Sequence, residues 1–358
     1  MLEDQEIKEE QLKLYRKNAL GTALMAFSPW RNFTKLFVIR KFGPTRFTNR
    51  EENKFEKHMQ LLDGVRVICL FWIILGNTYI YATMTATQNP FIADEYFKQP
   101  LFTIVIGANT AVDIFFFLSA FLGAFSFLRI KRTSCGLFLK AYGHRLFRVL
   151  PVYAFVLMLG YYLVYLPGDG VVWSLYRNAW ADCGTWWWTN LLFINNLYPL
   201  HLGNTCMPWT WYLASDMQFF LLLPPIIMLA RRSRRAAVAV ILVLLTASLS
   251  ASVASMVVNN YGVLTYLDSA YFKDHYIKPW VSMPSYLLGL LACIAYVDFA
   301  NQQRNRDTVD HAGTRLLNAI RSSVCLRVIL YLLGTGLMAF VVLIMYDYTK
   351  NMGASWGV

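Results

Sequence analysis

Several ionisable and amide side chains lie inside otherwise apolar stretches of this chain. Polar groups there are costly, so they usually face a bundle interior and often do work. Asp63, Arg66 and Asn77 occur in the first such stretch, Asp113 and Ser119 in the second, Asp216 and Gln218 in the fourth. Arg66 and Asn77 are eleven positions apart. At 100° per residue that is three turns plus about 20°, so they share a helix face, with Asn77 about 16 Å deeper. Arg145 and Arg148, three apart, also share a face. Guanidinium suits bidentate phosphate contact, so this pair fits the phosphates of a nucleotide-bearing acyl carrier. It equally fits anionic lipid headgroups, the reading favoured here. Cys183 and Cys206 flank Trp186-Trp187-Trp188. A bridge between them would close a loop worth about 3 kcal/mol, and it requires an oxidising compartment. Cys69, Cys293 and Cys325 fall in or beside apolar runs as core thiols, and Cys135 lies on the basic side. The tryptophans read as an interfacial belt rather than a ligand cage. No metal site is expected.

The elements that must position these residues are apolar runs near 62–82, 101–127, 149–166, 208–230, 236–258, 284–299 and 328–346. Each is read as spanning ~30 Å of hydrocarbon, the third and sixth being short. Hydrophobic residues make up 57% of the 358 and charged residues 15%. Soluble domains have about 45–50% and 25%, so lipid must cover part of the excess. The net charge of +12 does not point to nucleic acid, because the basic residues fall between apolar runs instead of along one face. They crowd 1–58, 129–148, 231–235 and 304–327. The alternate linkers hold little more than Lys98, Arg177, Lys273 and Lys278. By the positive-inside rule the N-terminus lies inside and the C-terminus outside. The expected fold is therefore an all-α, polytopic transmembrane helix bundle of about seven spans. Ahead of it, 1–58 forms a polar segment containing an amphipathic helix over 6–27, suited to a membrane surface or a partner. Residues 1–11 are acidic without an apolar core, so no secretory signal is expected.

Five motifs in order carry a family resemblance. They are Leu62-Asp63-Gly64-Val65-Arg66 followed by Gly76-Asn77-Thr78-Tyr79; Val112-Asp113-Ile114-Phe115-Phe116-Phe117-Leu118-Ser119; His144-Arg145 through Arg148, Pro151 and Tyr153; Trp187-Trp188-Thr189-Asn190 with Cys206 and 209–220; and Tyr276-Ile277-Lys278-Pro279-Trp280 with Pro284, Tyr286 and Gly289. Together they resemble the acyltransferase-3 family, in its eukaryotic nose-resistant-to-fluoxetine branch, with 59–358 as the acyltransferase-3-like domain. The resemblance implies transfer of an acyl group from acyl-CoA to a hydroxyl at a membrane. It also implies a general base, a first-span histidine that follows a basic residue after ten intervening positions.

The matching position here is Asn77. A carboxamide keeps the shape and hydrogen bonds but cannot take the proton, and losing a positioned base typically costs about 10²–10⁴ in rate. None of the histidines (His58, His144, His201, His275, His311) lies deep in an apolar run. Asp113 or Asp216 could replace the base, but both read first as buried partners tying helices together. Ser282 stands where the family pattern suggests arginine, and about seven spans are counted where the family has about ten. The expectation is a catalytically inactive member whose polar core of Arg66, Asp113 and Asp216 persists around Asn77. Arg145, Arg148, Tyr153 and Lys278 would then bind acyl-CoA or a lipid headgroup. Such a chain would be a structural or lipid-binding subunit of a larger membrane complex, conceivably a mitochondrial respiratory one, with structural phospholipid and no cofactor. Its partners would be lipids and other membrane subunits docking at the N-terminal segment. The family's own location would be the endoplasmic reticulum or plasma membrane. The alternatives are an active O-acyltransferase using acyl-CoA and, ranked last, a transporter of a small amphipathic molecule.

Overall fold

The computed structural model describes residues 50–84, 101–130, 134–164, 182–198, 206–261, 271–304 and 312–352, with a few isolated positions elsewhere. The amphipathic helix expected over 6–27 lies outside them. The chain divides into two compact units, Met1–Leu61 and Leu62–Val358. In chain order the helices are α1 (Arg50–Met84), α2 (Phe102–Ile106), α3 (Asn109–Arg129), α4 (Cys135–Val164) and α5 (Cys183–Leu191). A 3₁₀ turn (Pro208–Thr210) leads into α6 (Trp211–Arg232), then α7 (Arg234–Val258). A π-helical turn (Phe272–Tyr276) precedes α8 (Pro279–Arg304), α9 (Ala312–Ser322) and α10 (Val324–Met352). Every regular element among the described residues is helical.

Six stretches are long and apolar enough to cross a membrane: Leu62–Tyr79, Phe102–Leu128, Gly136–Leu163, Pro208–Arg232, Arg234–Val258 and Pro279–Asn301. Helix α10, 29 residues long, carries a described apolar stretch over Val324–Leu337. The protein is thus a polytopic helical membrane bundle. Two expected boundaries change. The run expected at 149–166 is only the second half of α4, which starts at Cys135. Arg145 belongs to the span and not to a linker; its charge masks the apolar pattern, but the bundle supplies it with a partner. The run expected at 284–299 likewise lengthens to Pro279–Arg304. Pro151, Pro224, Pro225 and Pro284 all sit inside these helices, as neighbouring helices permit in a membrane bundle.

The centre is built by α3, α6, α7 and α8. Phe116, Phe219, Leu223, Ile241, Tyr286, Leu287 and Leu290 are fully buried there. α3 and α8 pack in parallel: Asp113 meets Ser285, Phe117 meets Gly289, and Phe125 meets Tyr296. A Cβ at Gly289 would collide with the Phe117 carbonyl oxygen and crowd the Ala120 side chain. Small residues of this kind let membrane helices approach closely. α4 and α6 run antiparallel, Arg145 meeting Asp216 and Tyr153 meeting Thr210. These relative directions are those of a chain that crosses back and forth. At the basic end, Arg231 of α6 donates to the carbonyl oxygens of Phe127 (2.7 Å) and Ile130. It thereby satisfies acceptors that a helix terminus leaves open. Beside it, Arg234 pairs with Asp298 at 3.1 Å. Outward faces are apolar, as Phe155, Tyr162, Val243, Val253 and Val257 show.

Candidate functional site

Four helices converge on one charged pair. Arg145 of α4 pairs with Asp216 of α6, and their side chains are only 16% and 12% exposed. Ser119 of α3 donates to the other carboxylate oxygen of Asp216 at 2.9 Å. The Arg145 guanidinium also lies over the Phe220 ring, 4.5 Å from its centroid. A buried charge persists only where it is paired and its remaining lone pairs are occupied, and Asp216 has both its oxygens engaged. Two phenols border the pair: Tyr212, one helical turn before Asp216, and Tyr286 of α8, each within electrostatic reach of both charges. The Tyr286 ring is wholly buried and its hydroxyl has no hydrogen-bond partner. Asp113, six residues before Ser119 on α3, lies beside Ser285 of α8. Asp216 therefore joins α3, α4 and α6 to one another.

The first span is arranged differently. α1 meets α2 through Trp72, whose indole N–H donates to the Ile104 carbonyl at 2.6 Å, and through Tyr79, edge-on to Phe102 at 5.5 Å. Gly76 makes the contact tight, since a Cβ there would collide with that of Ala108. The packed face is thus Cys69, Trp72 and Gly76, and Asn77 lies about 100° around the helix from Gly76. Asn77 is exposed. Among the described residues no helix packs over this face of α1 at Asn77. Arg66 is half-buried, 3.4 Å from Asp63.

The residues expected to hold a headgroup together are dispersed. Arg145 is committed to Asp216, while Arg148, 60° away on α4, is exposed. Tyr153 donates to Thr210 at 2.8 Å, and Lys278 donates to the Asn196 carbonyl at 3.1 Å. Burial pulls the Lys278 ammonium below the ordinary lysine range, against the opposing pull of Asp274. His144 is exposed and His275 buried.

Tyr153 and Lys278 belong to a polar knot at the end of the bundle away from the arginine-rich turns. Its covalent tie is the Cys183–Cys206 disulfide, as the sequence suggests. Asn190 donates to the Cys206 carbonyl at 2.9 Å, and Asn195 donates to the Thr210 hydroxyl oxygen at 2.9 Å. Asn196 donates to Ser215 at 2.9 Å, and Gln218 donates to Asn196 at 2.7 Å and to the Phe193 carbonyl at 2.8 Å. Two residues in this knot, Phe193 and Met207, adopt left-handed backbone conformations with φ of 57° and 49°. That region is uncommon for non-glycine residues and persists where surroundings over-determine it. The knot holds the start of α6 and so sets the depth of Asp216. Sequence reasoning missed Asn195, Asn196 and Thr210. The available signal was a cluster of amides among aromatics, which is costly unless satisfied locally.

A family model for an acyltransferase domain, that of the acyltransferase-3 family, matches residues 60–357. Nose resistant to fluoxetine protein 6 of Caenorhabditis elegans is 29% identical over 299 residues, covering 76% of this chain and 34% of that protein. The chain therefore spans about a third of the length of this curated relative. No solved structure matches.

Proposed function

Because this chain belongs to the acyltransferase-3 family, in its nose-resistant-to-fluoxetine branch, we propose that it is a catalytically silent member. In this reading it is kept as a structural, lipid-contacting component of a membrane assembly. The observation that carries the reading is Asn77, a carboxamide where the family pattern implies a proton acceptor. Geometry adds support at one of the two candidate replacements: Asp216 is held by Arg145 and Ser119, while Asp113 lies beside Ser285. His275 is the only described buried histidine, and it sits in the π-helical turn outside the spans.

The test uses purified full-length protein in nanodiscs, with labelled acetyl-CoA and long-chain acyl-CoA offered alongside a panel of hydroxyl acceptors. No ester above a protein-free control is the expected result. Ester formation that disappears in Asp113→Asn would overturn the proposal and make the chain an O-acyltransferase with a carboxylate base.

A further inference from the structure

Helix α9 lies in the basic stretch between α8 and α10, where the sequence reading places only a linker. Its described residues divide by exposure, with Ala319 also exposed. Leu317 and Ile320 are half-buried, while Arg315, Asn318, Arg321 and Ser322 are exposed on the opposite arc. On a helical wheel Arg315 and Arg321 lie about 120° apart, at the two borders of the polar arc, with Asn318 midway. The helix stops at Ser323, whose hydroxyl oxygen accepts from the Leu326 amide at 3.2 Å as the cap of α10. α9 is therefore a separate short helix held at both ends by bundle helices, not an extension of either. It follows the end of α8 that carries the Arg234–Asp298 pair, the end where Arg231 caps α3.

We infer that α9 rests on the leaflet at the basic end of the bundle and recruits anionic phospholipid headgroups through Arg315 and Arg321. From Ala312 to Arg327 the chain has three arginines and no acidic residue. Asp307 and Asp310 precede it. Arginines at the borders of a polar arc are placed to lay their methylenes along the apolar side and extend their guanidiniums to phosphate depth. An anionic leaflet supplies the complementary field, at about 1 kcal/mol per basic side chain near the surface. This contact lies apart from the buried Arg145–Asp216 centre, and it holds whether or not acyl transfer survives.

Cys325, expected from the sequence to be a core thiol, is instead exposed on the first turn of α10 and serves as a local reporter. Full-length Cys135→Ser protein carries a donor fluorophore on Cys325 in nanodiscs of phosphatidylcholine and phosphatidylglycerol. Energy transfer is read to tail-labelled acceptors of each lipid at equal density. The expected result is transfer to phosphatidylglycerol at least about twofold above phosphatidylcholine. That preference should be lost in the Arg315→Gln/Arg321→Gln variant and retained in Arg315→Lys/Arg321→Lys. In the unsubstituted arginine background the preference should also fall as salt rises from about 0.05 to 0.5 M, a reading independent of how the variants fold. Equal transfer to the two lipids would overturn the inference. So would a preference that survives neutralisation, or one indifferent to salt.

Discussion

Ser119 and Asp216 are 97 positions apart in the chain, yet the serine hydroxyl donates to the carboxylate at 2.9 Å inside the bundle. With Arg145 on the other oxygen, the carboxylate of α6 becomes the common fastening of α3 and α4. A group so engaged serves architecture before chemistry, which fits the functional reading that Asn77 carries.

Breaking the fastening on one side should be worse than removing it altogether. Arg145→Met leaves Asp216 buried without its cation and should cost about 3 kcal/mol or more. The double variant Arg145→Met/Asp216→Leu should recover most of that loss. Thermal unfolding of detergent-solubilised protein, followed by tryptophan fluorescence, reads both. Equal losses in the single and double variants would show that the pair is not the unit.

Gly289→Leu should destabilise by roughly 1–3 kcal/mol, the usual penalty of overpacking, because its side chain would meet the Phe117 backbone and Ala120. Gly64→Ala, where nothing lies within 4 Å, should be close to neutral. Size-exclusion profiles after graded heating separate the two.

Reduction of the Cys183–Cys206 bridge should loosen the polar knot. Chain entropy assigns such a cross-link about 3 kcal/mol, so Cys183→Ser should lower the unfolding midpoint, with dithiothreitol having little further effect. A midpoint that still drops on reduction of Cys183→Ser would mean another thiol pair matters.

His275 gives the turn before α8 a pH dependence. Its ring lies 5.1 Å from Tyr271, its Nδ1 is 3.2 Å from the Ser255 hydroxyl, and burial lowers its pKa below the ordinary 6.5. A folded value below the unfolded one means that the unfolded chain binds the proton first. The contribution is therefore intact above about pH 6.5 and is lost as pH falls from there through the lowered folded value. Unfolding midpoints between about pH 7.5 and 5 should fall in the wild type and flatten in His275→Asn.

Much of this was legible in the sequence. Apolar length located six helices long and apolar enough to cross a membrane. The pairing of Cys183 with Cys206 followed from their flanking an aromatic segment. Arg145 shows where local pattern fails: a charge reads as a linker until its partner, 71 positions on, is seen. Asn77 shows the same limit from the other side. Its 20° offset from Arg66 is pure helix geometry, but which face α1 turns inward is decided by Gly76 and Trp72 meeting α2. No spacing within α1 contains that information.

The parallel packing of α3 on α8 bears on how the protein is made. Asp113 and its partner Ser285 are 172 positions apart by subtraction, and no hairpin can join helices that run the same way. At about 5–20 residues per second, the ribosome needs roughly 10–30 s to deliver that serine after the aspartate emerges. During that interval α3 is without the helix it packs against, so completion of the core waits for α8.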